Sequence, residues 1–327
     1  PNLRAVAQRE GLWAPGQPFN FFKIFGYVPP DENAYWIDAF YSGRRMWRAY
    51  TWLNPSLRDE LSPLRGHSPV QGYAFSYPAA SVRLPSLMAL LGDHFQGTPF
   101  DLTQGVAAGP YGDPTRVDLT HIAVPGGFER PLGSYRGTFS HICELGGNLT
   151  AVAWYGHGNT DATVWAPLFA AQLQLDDGGA GALPESWLWG KQSEFSRSSA
   201  WWAFSLVNNW MRLGHRYMVG DVLEEKWRWQ RRAFAVRDRA ESLMGALPEA
   251  DARAQISAES YQFCEKLNHA WWDFSDRLIA KFANGAVTTG EGPGQRVAFN
   301  YSDAYLQSVG FEDWPPVNRS QAAFSAV

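Results

Sequence analysis

The sequence predicts an α+β fold. Three strand-like runs lie between Tyr135 and Phe169, separated by turn residues, and a mainly helical region from Ser196 to Asn284 closes as a helical hairpin. The 327 residues are 45% hydrophobic and 18% charged, enough to bury a substantial core. One domain over 1–327 is expected. Within it, 1–80 reads as an extended wrapping segment with a short helix, 135–170 as antiparallel strands and 196–284 as helices.

The first forty residues are rich in Pro, Gly and aromatics, the mark of an irregular segment. Arg44–Leu53 (RRMWRAYTWL) predicts a short helix stopped by Asn54-Pro55. Pro85 suits the first turn of a second helix running to about Phe95, with Leu87, Leu90, Leu91 and His94 at helical spacing and Gly97 beyond its end. A loop dense in Gly and Pro follows.

The strand runs are Tyr135–Leu145, Leu149–Gly156 and Ala162–Phe169. Gly146-Gly147-Asn148 and Gly156-His157-Gly158-Asn159 supply the turns between them. On the first run, alternation puts Arg136, Thr138 and Ser140 on one face and Phe139, His141 and Cys143 on the other.

Ser198-Ser199 can cap a helix through Trp201, Phe204, Val207 and Met211. A long helix is expected after Gly220-Asp221, with Val222, Trp229, Val236 and Leu243 seven apart, broken by Gly245 and Pro248. Its partner carries Ile256, Phe263, Leu267, Ala270, Phe274 and Leu278. The wide, aromatic seam points to an antiparallel hairpin. A coiled-coil dimerisation arm, and with it a homo-oligomer, is the alternative. The tail after Asn284 reads as loop.

A net charge of -4 argues against nucleic acid or an anionic membrane as the main partner. No apolar run approaches the roughly 18–20 residues of a membrane helix. The opening PNLRAVAQRE has neither the basic start nor the apolar stretch of a signal peptide. Sequons occur at Asn148, Asn300 and Asn318, and lean towards a secreted or lysosome-like lumen, with the cytoplasm the alternative. Cys143 and Cys264 each read as a free buried thiol, and the 16 Trp and 20 Phe as core packing.

Several chemistries lack their motifs. There is no glycine-rich phosphate loop, paired-histidine zinc helix, Cys-x-x-Cys or nucleophile elbow. The seven histidines do not cluster at metal-ligand spacings.

Distinctive strings remain. HFQGTPFDLT (His94–Thr103) followed by AAGPYGDP (Ala107–Pro114) resembles the dipeptidase A/secernin peptidase family, as does YSGRRMWRAYTWLNPS (Tyr41–Ser56). ERPLGSYRGTFSHICEL (Glu129–Leu145), APLFAA (Ala166–Ala171) and FSRSSAWWAFSLVNNW (Phe195–Trp210) follow in the family's order. The resemblance covers about Gln17 to Gly285.

It implies an N-terminal-nucleophile cysteine hydrolase acting on short peptides, with no metal or organic cofactor. The implied fold is a four-layer αββα sandwich. The nucleophile is a cysteine exposed as a new N-terminus, whose own α-amino group serves as base. This chain departs from that pattern: it begins with Pro1, and its first cysteine is Cys143. The nucleophile is therefore expected upstream, on a missing segment or companion chain, and the sandwich is expected to be incomplete. A two-chain mature protein, a partial sequence and a catalytically inactive assembly subunit are the three readings open at this point.

Arg136 is the candidate for ordering the nucleophile, with a structural ion pair as its alternative. The Arg136, Thr138 and Ser140 face is expected to look into the gap between sheets, and the Tyr135, Phe139 and Cys143 face onto helices. His94, Thr98, Asp101 and Ser140 are the substrate-binding candidates. For the first three, capping the helix and fixing the loop is the competing role.

Overall fold

The computed structural model describes residues 2–26, 39–58, 61, 81–117, 127–146, 150–172, 183–188, 190–290, 292 and 295–313. The described chain is α+β and mainly helical. Its contacts gather into two compact units: Pro1–Leu90 with Arg116–Leu132, and Leu91–Thr115 with Gly133–Val327.

In the first unit, Asn2 caps α1 (Leu3–Arg9), its side-chain oxygen accepting from the N–H groups of Arg4 and Ala5. After α2 (Phe21–Phe25), a π-turn at Ala39–Gly43 leads into α3 (Arg44–Leu53). α3 stops where the sequence says it should. The residue before a proline is pushed out of helical conformation, and Asn54 is extended (φ −140°, ψ 91°). Two buried arginines on α3 are held by partners. Arg44 Nη1 lies 3.3 Å from Glu129 Oε1, and Arg48 stacks 4.8 Å over Trp52. Trp52 in turn donates to Ser86 Oγ of α4 (Leu84–Leu91) at 3.1 Å.

The second unit contains β1 (Phe139–Glu144), β2 (Val152–His157) and β3 (Ala166–Phe169), an antiparallel sheet in that order. β1 starts later than expected, because Ser134–Gly137 is a turn closed by Gly137 N–H on Ser134 O at 2.9 Å. Next come α5 (Glu185–Leu188), α6 (Ala200–Arg212), α7 (His215–Ala246) and α8 (Glu249–Lys281). Ser199 caps α6 through Trp202 N–H. α7 begins five residues before Gly220 and carries that glycine in its interior. The tail also has structure: β4 (Ala286–Thr288) pairs with β5 (Arg296–Ala298), and α9 (Asp303–Ser308) follows.

α7 and α8 form the antiparallel hairpin. Trp229 and Phe263 meet edge to face at 5.9 Å, while Phe204 of α6 stacks on Trp271 of α8 at 4.7 Å. Phe169, Phe204, Leu267 and Leu278 are at most 1% exposed. Burying each stabilises the fold by about 1.5–3 kcal/mol. Among the described residues no helix is long and apolar enough to cross a membrane.

The sheet is clothed on one face. Trp154 packs edge to face on Phe234 of α7 at 5.3 Å, and Glu144 accepts from Arg237 of α7 at 2.6 Å. Gln230, fully buried on α7, exchanges hydrogen bonds with the main chain of Trp165, whose indole donates to Ser140 Oγ at 2.8 Å. The Ser140, Ile142 and Glu144 face therefore lies under the helices. The other face carries Phe139, His141 and Cys143, all exposed, with Tyr155 half-buried beside them. This reverses the expected facing. Glu144 and its arginine partner, together with Trp154 and Trp165, bring the small-residue face to the hairpin.

Candidate functional site

The loop after α4 is held by its own side chains. α4 ends at Leu91 rather than near Phe95, because Phe95 is in the left-handed region (φ 62°). That conformation costs a bulky residue about 1–3 kcal/mol. Asp93 Oδ2 accepts from Phe95 N–H at 2.8 Å, and Thr98 Oγ1 donates to Phe95 O at 2.7 Å. Asp101 accepts from Thr103 N–H at 2.9 Å, Thr103 Oγ1 at 2.6 Å and Gly97 N–H at 3.3 Å. The contacts of Thr98 and Asp101 are those of loop staples.

His94 has a different setting. Its ring is buried, with Nε2 2.9 Å from Gly133 O and 3.2 Å from Asp161 Oδ1. A carbonyl only accepts, so Nε2 bears the hydrogen and Nδ1 faces Gln96 Nε2 at 3.4 Å. Asp161 also accepts from Asn159 Nδ2 at 2.9 Å. Lys226 of α7, 3% exposed, donates to the carbonyls of Thr160 at 2.8 Å and Asp161 at 3.2 Å. Burial raises the Asp161 pKa, while His94, Lys226 and Asn159 oppose the rise. Burial lowers the Lys226 pKa to about 8, against the pull of Asp161. The result is a buried polar knot that ties the loop, the turn after β2 and α7 together.

Beside the knot lies a cleft of about 400 Å³. The loop contributes Gln96, Thr103 and Gly105, α7 contributes His215 and Arg216, and Tyr305 of α9 closes another side. His215 is 7% exposed. Burial pushes its pKa down to about 4; His94 lowers it further and Asp113 works the other way. The imidazole is therefore neutral at pH 7.

A second recess, of about 230 Å³, opens at one end of the bare sheet face. Phe139, Tyr155, His157, Trp187 and Trp201 line it. Phe139 stacks on Tyr155 at 5.8 Å, and His157 lies 4.8 Å from Trp187. The His157 Nε2 is buried without a hydrogen-bond partner, and burial lowers the ring pKa to about 4.

Arg136 is exposed in the turn before β1, outside the strand on which alternation had placed it. Its Nε donates to Tyr135 OH at 2.6 Å. Ser140 sits beneath Trp165, away from the bare face. Cys143 is exposed on the outer face of β1, not buried as expected, whereas Cys264 is fully buried on α8, where burial pushes its thiol pKa strongly up. Asn300 is exposed; Asn148 and Asn318 lie outside the described residues. Among the described residues no group of three or more His, Cys, Asp or Glu could hold a metal ion. The structure thus brings His94 together with Asp161 and Lys226, and leaves Thr98, Asp101, Ser140 and Arg136 in separate local roles. Sequence reasoning passed over Asp161, Lys226, His157 and His215. Lys226 stands in a run of charges (EEKWRWQRR) that reads as a solvated face.

Residues 1–226 match the model of peptidase family C69. No curated protein matches the chain.

Proposed function

The chain belongs to peptidase family C69, and we propose that it serves a dipeptidase that works by acyl transfer to a cysteine. The observation that carries the site assignment is the one-sided sheet: helices cover the Ser140 face, and the Phe139, His141 and Cys143 face is bare. In a four-layer αββα sandwich the bare face receives a second sheet, and the nucleophile arrives with it. The thiol sulfur bonds to the peptide carbonyl carbon, the C–N bond breaks, and the departing amine takes a proton from the base. Water then releases the acyl group and restores the thiol.

Neither cysteine of this chain suits that role. Cys264 is sealed in the helical hairpin with its thiol held protonated. Cys143 lies within β1 between two peptide bonds, so it has no α-amino group to act as base. The nucleophile therefore comes from a segment outside these 327 residues. Arg136, in the turn that leads into β1, is suited to hold the thiolate or a peptide carboxylate. Thr98 and Asp101 fix the loop, and the recess beside Phe139 and Tyr155 accepts a substrate side chain.

The test is dipeptide hydrolysis by the complete gene product. Turnover should persist in Cys143→Ala and Cys264→Ala. It should vanish when the cysteine at the processed N-terminus of the upstream segment becomes alanine. Loss of turnover in Cys143→Ala with unchanged stability would refute the assignment, and a complete protein inert towards every dipeptide would turn the chain into an assembly subunit.

A further inference from the structure

The cleft between the loop and the start of α7 has features that the hydrolytic reading does not use. His215 lines it and is 7% exposed. Arg216 lines the same cleft and is exposed. Its Nη2 donates to Tyr217 OH at 2.9 Å and to Asn300 O, and its guanidinium lies 4.9 Å from the Tyr217 ring centroid. Those contacts fix the group while leaving Nε and Nη1 without a protein acceptor among the described residues. Gln96, Thr103 and Ser302 add neutral polar side chains. No aspartate or glutamate is among the described residues that line the cleft. The nearby Asp101 is engaged by Thr103, and Asp113 lies 3.4 Å from Arg212.

We propose that this cleft binds a small ligand with a free carboxylate, of amino-acid or dipeptide size, on Arg216, with His215 as a neutral hydrogen-bonding partner. The chemistry is that of a fixed guanidinium fork, which matches the two oxygens of a carboxylate. The volume, about 400 Å³, admits one or two residues and little more. His94 and Asp113 act on His215, Arg216 follows it in the chain, and its neutral ring at pH 7 can donate at one nitrogen and accept an N–H at the other. The proposal stands apart from the acyl-transfer reading, because binding needs no nucleophile. The carboxylate can be a peptide C-terminus or that of a free amino acid.

The test uses the 327-residue chain titrated calorimetrically with glycine, N-acetylglycine, glycylglycine and glycinamide, while the His215 ring signals are followed by NMR. N-acetylglycine or glycylglycine is expected to bind and shift those signals, with glycinamide at least roughly tenfold weaker. Arg216→Gln should weaken the carboxylates about tenfold and leave glycinamide unchanged, with Arg216→Lys in between, as loss of a charged hydrogen-bonding fork implies. Arg216 is exposed, so circular dichroism should show both variants folded. Glycine binding as tightly as glycylglycine assigns the site to a free amino acid; glycylglycine far ahead assigns it to a peptide C-terminus. Glycinamide equal to N-acetylglycine, an unchanged affinity in Arg216→Gln, or no shift of His215 with any probe would overturn the proposal.

Discussion

Between pH 7 and pH 4, His157 and His215 are together expected to remove about 6 kcal/mol from the stability of the unit that holds the sheet and the helical hairpin. His157 and His215 are 5% and 7% exposed, and burial lowers both pKa values from 6.5 to about 4. Between those values the unfolded chain binds protons that the folded chain refuses, so stability falls as pH drops. The span corresponds to about 3 kcal/mol for each ring. Asp161 acts in the opposite sense: its raised pKa contributes stability at low pH that is lost as pH climbs. It opposes the loss that the two histidines bring. Lys226 adds an alkaline limb. Its lowered pKa of about 8 makes stability rise between pH 8 and 10.5. Urea midpoints measured from pH 4 to 7 in the Asp161→Asn variant check the acid limb, and a flat profile there would show that the two rings are not buried as described.

Lys226→Met is expected to cost about 2–5 kcal/mol, the scale of leaving two buried carbonyls without their donor. The ammonium donates to the carbonyls of Thr160 and Asp161 and lies 5.0 Å from the Trp165 ring. The methionine fills the space but leaves two carbonyls without a donor and removes the attraction between Lys226 and Asp161. Asp161→Asn added to Lys226→Met should recover part of the loss, because the uncompensated charge goes with it. Denaturant titration of the three variants measures this coupling. A cost below about 1 kcal/mol for the single change would mean that the knot contributes little.

Much of the fold was legible from local signals. Arg44–Leu53 ends at the residue before Pro55, Ser199 caps α6, and the seam residues Val222, Trp229, Ile256 and Phe263 are buried in the hairpin. What escaped depends on distant partners. The facing of β1 is decided by Arg237 on Glu144, 93 residues apart. The knot joins Asp161 to Lys226 across 65 residues, so neither looked unusual beside its neighbours in the chain. α4 stops early because Asp93 and Thr98 hold Phe95 in a left-handed turn, which no spacing of leucines reveals. Gly220 passed for a boundary because a lone glycine marks helix ends more often than interiors, and here the buried residues on both sides of it carry α7 through.

The central claim is that the bare face of the sheet is completed by the segment that brings the nucleophile. Alkylation of Cys143 tests it most directly. That thiol is exposed on the bare face, and Cys264, fully buried, serves as the unreactive control in the same chain. In the isolated 327-residue chain, iodoacetamide should modify Cys143 readily and Cys264 only on unfolding. In the complete gene product, Cys143 should be protected by roughly tenfold or more while dipeptide turnover proceeds, since a packed second sheet denies the reagent access until it opens. Equal alkylation of Cys143 in both forms, with the complete protein active, would contradict the account.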